Sequence, residues 1–219
     1  MNTVTTRPFE FSTAGYLIRI ANQKATSIGE LAEGVADCTD ASIFHHTYHT
    51  LGQHHFLTEG FSNDFAQWAL ASANRVELAE QLASLDIRDY VTLAEVRSDL
   101  RRILEDYAEV HPGAAQQTAL EPFYFCESVE IATPLGEQAD SLKEFRRHLG
   151  ALSHASLYYH FIASRIRLQL RTNDFSVWFA SELGLARLAE RTDRIDIYAN
   201  TLDSARRTLL SLIDQELTA

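Results

Sequence analysis

The residues best suited to chemistry are histidines: His45, His46, His49, His54 and His55 place five of the chain's nine within eleven positions. At about 100° per residue on a helix, His45, His46 and His49 share one arc, close enough for two imidazoles to meet one ion. A metal or haem site needs an unprotonated ring nitrogen, and a metal held by side chains also needs a carboxylate or thiolate and outer hydrogen bonds that fix the tautomer. Asp64, Glu59 or a residue from later in the chain could supply these. The same density also suits a partly exposed polar helix face whose imidazoles bond to backbone and water.

A second group recurs along the chain: His46 with His160, Asp64 with Asp174, Glu80 with Glu190, Asp86 with Asp196, and Arg97 with Arg206. It sits inside a longer self-similarity. Pro8-Phe9-Glu10-Phe11 returns as Pro122-Phe123-Tyr124-Phe125, and Ser42-Ile43-Phe44-His45-His46 as Ser156-Leu157-Tyr158-Tyr159-His160, both 114 positions later. Asn63-Asp64-Phe65-Ala66-Gln67-Trp68 returns as Asn173-Asp174-Phe175-Ser176-Val177-Trp178, 110 positions later. The sequence therefore predicts a tandem duplication, with a first helical repeat over 1–111, a connector over 112–121 marked by Pro112-Gly113, and a second repeat over 122–219.

Each repeat reads as about five helices. Ser27-x-x-Glu30, Ser141-x-x-Glu144 and Thr92-x-x-Glu95 have the form of capping boxes, and Thr39, Ser153, Asn63 and Asn173 stand where further helices begin. Asp64 and Asp174 then fall in first turns, where the helix dipole favours a carboxylate. Without sustained period-2 alternation the expectation is an all-α fold, its halves packed about a pseudo-twofold axis. Phe9 and Phe123 open short extended segments whose aromatics dock on helices. Within the recurring polar set, Arg97 is the expected partner of Asp64 and Arg206 that of Asp174, forming either a structural network or an acid/base pair.

Composition narrows the function. A content of 46% hydrophobic residues over 219 positions buries a sizeable core without metal or disulfide. The net charge of −11 and a pI near 5.2 leave no basic stripe for nucleic acid or an anionic membrane. Cys38 and Cys126, the only cysteines, read as buried or free thiols in a reducing compartment. No secretory leader or 18-residue apolar run is present, so the expected location is the cytoplasm. The chain has no H-E-x-x-H, C-x-x-C, Walker A or G-x-S-x-G motif, and no histidine has Glu three residues before it, which counts against a di-iron carboxylate bundle.

Phe44-His45-His46-Thr47-Tyr48-His49 running on to His54-His55-Phe56, then Asn63-Asp64-Phe65-Ala66-Gln67-Trp68, Leu82-Ala83-Ser84-Leu85-Asp86, Tyr158-Tyr159-His160-Phe161 and Asn173-Asp174-Phe175-Ser176-Val177-Trp178 resemble a bacterial helical family of unknown function. The resemblance spans most of the chain. It implies a helical architecture and a set of recurring residues, and brings no activity, cofactor or substrate. Two functions follow from the residues. One is a non-enzymatic interaction or scaffold module that binds a partner protein or assembles with itself. The alternative is a metal- or small-ligand-binding protein, an enzyme included, with a transition metal held between the repeats by His46, His49, His54, His160 and the recurring acids.

Overall fold

The two Phe-x-Phe entries run on into strands of 17 residues each, β1 (Phe9–Ala25) and β2 (Phe123–Ala139), which pair as a two-stranded antiparallel sheet. The all-α expectation is thereby corrected. The structure, a computed structural model, describes residues 5, 7–49, 61, 63–164, 172–196 and 201–218. The strand starts alternate as a half-buried strand should: Phe9 and Phe11 are buried around exposed Glu10, and Phe123 and Phe125 around exposed Tyr124. Further along β1, Leu17, Ile18, Arg19 and Ile20 are all exposed, the three apolar ones at 62, 53 and 68%. A ribbon bare on both faces leaves no periodic signature for a sequence reading to find.

The chain divides into two compact units, and both strands pass from one to the other. The continuous unit is Tyr16–Val129; the split unit joins Met1–Gly15 to Glu130–Ala219. Among the described residues of the continuous unit the helices are α1 (Ile28–Asp37), α2 (Asp40–Phe44), α3 (Asp64–Ala71), α4 (Val76–Ala83), α5 (Leu93–Val110) and the single turn α6 (Pro112–Ala115). The split unit holds α7 (Leu142–Ala151), α8 (His154–Tyr158), α9 (Asp174–Ser181), α10 (Ala186–Asp193) and α11 (Leu202–Thr218). Thus the first part of β1 lies in the unit built from the later helices, and the first part of β2 in the unit built from the earlier ones.

Within each unit amphipathic helices enclose the strand starts. In the continuous unit α1 buries Ile28, Leu31 and Val35 and packs on α5, which buries Val96, Leu100 and Leu104. Gly34 is the point of closest approach: a Cβ there would lie 2.3 Å from the Phe125 ring. Any side chain at that position would overpack the contact, at about 1–3 kcal/mol. In the split unit α7 buries Leu142, Phe145 and Leu149 and packs on α11, while α9 packs on α10. Phe9 meets Phe145 and Trp178 at ring-centroid distances of 5.2 and 5.7 Å.

The local start signals hold, with one refinement. Ser27, Thr39, Asn63, Thr92, Ser141, Ser153 and Asn173 all cap the expected helices. Of the three expected boxes, Thr92 with Glu95 is reciprocal, and Asn173 forms a further one with Ser176. Glu30 and Glu144 instead accept the amide one residue before the cap, from Thr26 at 2.6 Å and Asp140 at 3.0 Å.

Candidate functional site

Helix α2 runs directly into a wider, π-type turn over His45–His49, and α8 into one over Tyr159–Ala163. Such turns add a residue to the helical repeat, re-aim the side chains they carry, and often mark functional positions. The second residue of each is histidine: His46 and His160, both buried.

The two imidazoles are held alike. His46 Nδ1 is 2.8 Å from Asp64 Oδ2, and the Cys126 backbone N–H donates to its Nε2 at 2.9 Å. His160 Nδ1 is 2.7 Å from Asp174 Oδ2, and the Ser12 N–H donates to its Nε2 at 2.8 Å. A backbone amide can only donate, so Nε2 carries no proton in either ring and the Nδ1–H tautomer is fixed, its proton shared with the carboxylate. Each histidine therefore ties a helix-borne carboxylate to the main chain of a strand.

The rest of the Asn-Asp-Phe-x-x-Trp segment serves the same junction. Asn63 caps α3 through Ala66 N–H and donates to Leu82 O at 3.0 Å; Asn173 caps α9 and donates to Asp193 Oδ1 at 3.0 Å. Phe65 and Phe175 are fully buried. Trp68 Nε1 donates to Glu121 O at 2.7 Å, and Trp178 Nε1 to Arg7 O at 2.9 Å. These carbonyls precede Pro122 and Pro8, whose fixed φ and missing N–H set the strand entry.

The remaining expected site residues do not converge. Glu80 and Glu190 are exposed on α4 and α10. Arg97 does not reach Asp64: it donates to Val35 O, Cys38 O and Asp40 Oδ1, all at 2.7 Å. Arg206 does not reach Asp174 either, and its Nε and Nη2 are buried without a hydrogen-bond partner. The acidic partner Asp40 has His154 at the matching place, and His154 pairs instead with Asp203 at 2.8 Å. The side chain of His49, and the whole of His54, lie outside the described residues. Two residues absent from the expected set, Ser12 and Cys126, supply the strand amides; both directly follow a Phe-x-Phe.

In the continuous unit a second polar junction reaches β2. The cap hydroxyl of Thr39 donates to Glu127 Oε1 at 2.7 Å, and Arg19 pairs with Oε2, its Nε at 2.9 Å. The Thr39 hydrogen bond, followed by that of Arg19, holds the Glu127 carboxyl below the ordinary carboxylate range. A depressed carboxyl pKa contributes stability above the unfolded value and loses it as pH falls through the folded one. Glu127→Gln is expected to lower stability at pH 7 by about 1 kcal/mol, the small value reflecting a solvent-exposed Arg19. The gap to the parent should close below the carboxylate range in urea titrations at a series of pH values; an equal gap at pH 3 and pH 7 would refute the assignment.

The split unit also has an open cleft of about 480 Å³ lined by Arg7, Glu10, His160, Asp174, Trp178 and Glu182, among others. Comparison with known proteins extends the picture. A model of DUF5752, a family of unknown function, matches residues 6–214. The chain belongs to the DUF5752 family. That match carries no bacterial origin with it. The DUF5752 chain is also similar to a solved structure, that of OrfY from Thermoproteus tenax, with a TM-score of 0.86 and 30% identity over 99% of this chain and 98% of that one. No curated protein matches it. No helix among the described residues of this DUF5752 protein is long and apolar enough to cross a membrane.

Proposed function

We propose that the protein is a non-catalytic interaction module. The observation that carries this reading is that both ring nitrogens of His46 and of His160 are engaged, Nδ1 by a carboxylate and Nε2 by a strand amide. A general base must direct a lone pair at a substrate proton, and these two direct theirs at main chain. His46 with Asp64, and His160 with Asp174, thus position backbone. Leu17, Ile18 and Ile20, left in solvent on β1, are the kind of apolar surface that interacting proteins retain. Cross-linking of the full chain in its source cells, read by mass spectrometry, tests the proposal. Repeated links to one partner protein or to a second copy support it; links scattered over unrelated proteins at background frequency overturn it.

A second reading, binding of a small ligand, is favoured by the cleft beside His160 and Trp178. A ligand seated there would change tryptophan emission and raise the melting temperature with concentration. The Trp178→Phe variant should abolish the emission change; if it does not, the cleft is not the binding place.

A further inference from the structure

We propose that His45, His46 and Cys126 form a binding site for one zinc-like cation per chain, a site that the continuous unit has and the split unit lacks. One ligand atom from each of these residues lies within 4.8 Å of the other two. In a tetrahedral site with the usual zinc bond lengths, ligand atoms are roughly 3.5 Å apart, a difference that side-chain rotation can close. Both histidines are buried and the cysteine is half-buried, so the set is shielded on the protein side and open to a solvent ligand at the fourth position.

The outer hydrogen bonds match those of a metal-binding histidine. Asp64 takes the Nδ1–H of His46 and turns Nε2 toward Cys126, the residue that also carries the thiol. Coordination exchanges the Cys126 amide bond for a metal bond while Asp64 still fixes the ring, the carboxylate–histidine–metal arrangement found at zinc sites. Ser128 Oγ, 2.7 Å from His45 Nδ1, holds the second ring and can accept from it, which leaves Nε2 to face the cation. Binding requires the thiolate, so the Cys126 S–H proton leaves to solvent as the cation enters. Thiolate with two imidazoles is a donor set suited to zinc or cobalt(II) rather than magnesium or calcium.

The split unit provides an internal comparison. It has the same histidine and carboxylate, with His160 2.7 Å from Asp174 and 2.8 Å from the Ser12 amide, yet the neighbouring positions are Tyr159 and Ser12. These two positions, together with Ser128, which has Ala14 at its matching place, would turn a strand junction into a ligand set. They also indicate variants that should fold, since His45→Tyr and Cys126→Ser copy a combination the chain already accommodates.

Titration of the reduced, tag-free full chain with Co²⁺ tests the site. One equivalent should bind with a thiolate-to-cobalt charge-transfer band, the absorption of a tetrahedral ion, and release of one proton. Cys126→Ser should abolish the band, Cys38→Ser should leave it intact, and Asp64→Asn should weaken affinity by about 10–100-fold. His45→Tyr should also lose stoichiometric binding, with melting curves confirming a folded chain. Absence of a charge-transfer band in the parent, its persistence in Cys126→Ser, or two equivalents per chain would each overturn the proposal. A positive result takes His46 out of the observation behind the interaction reading, which then rests on His160 and the exposed strand; a negative one leaves that reading as it stands.

Discussion

Phe125→Ala and Phe11→Ala are each expected to lower the free energy of unfolding by about 3–5 kcal/mol, the cost of emptying a fully buried phenylalanine site. Both rings have no solvent exposure. Phe125 fills the space left by Gly34 on α1 and stands against Phe123 and His46. Phe11 is set among Phe9, Phe145 and His148. Against a typical stability of about 5–15 kcal/mol, either loss is a large fraction of the whole. The two should act in different places: hydrogen exchange should quicken on α1 and α2 in Phe125→Ala, and on α7 and α8 in Phe11→Ala. Quickening on the helices nearer in sequence, α1 for Phe11→Ala or α7 for Phe125→Ala, would show that the strand starts are docked otherwise than described.

His160→Leu is expected to cost about 3–4 kcal/mol and His46→Leu somewhat less, although leucine roughly preserves the volume. The loss comes from the groups left behind, since a strand amide and a carboxylate each forfeit a partner. Asp174 has 16% of its side chain exposed and Asp64 has 28%, so solvent recovers more of the second charge than of the first. A double-mutant cycle separates this from simple packing. With Asp174 already changed to Leu, His160→Leu should cost distinctly less than it does in the parent. Additive costs in denaturant titrations would mean the imidazole acts as filler and the junction is not a coupled unit.

The parts of this fold legible in the sequence are those decided by neighbours in the chain. Asn63, Thr92 and Ser153 act within one helical turn, so residue type and spacing suffice to place them. The recurrence of His46 with His160 and Asp64 with Asp174 likewise pointed to residues that meet. What they meet was not legible, because a backbone amide has no side-chain signature. Nothing in the letters at Ser12 or Cys126 announces that their N–H groups cap imidazoles 148 and 80 positions away. The length of β1 was hidden for a different reason: Leu17 to Ile20 face solvent on both sides, so the alternation that begins at Phe9 and Phe11 is interrupted there. The expected pairing of Arg97 with Asp64 failed because the guanidinium finds the carbonyls that end α1 nearer at hand.

The exchange of strand starts between units also sets an order of events during translation. Tyr16 and Val129 bound the continuous unit and lie on the paired strands, so folding of that unit draws together the chain ends that the split unit must join. The loop-closure entropy of the intervening residues is then already spent before α7 meets Phe11. Synthesis runs against this on the amino-terminal side. Phe9 and Phe11 are synthesised well before their cover, which includes Trp178 for Phe9 and Phe145 for Phe11, so a nascent chain holds two uncovered aromatics over that interval.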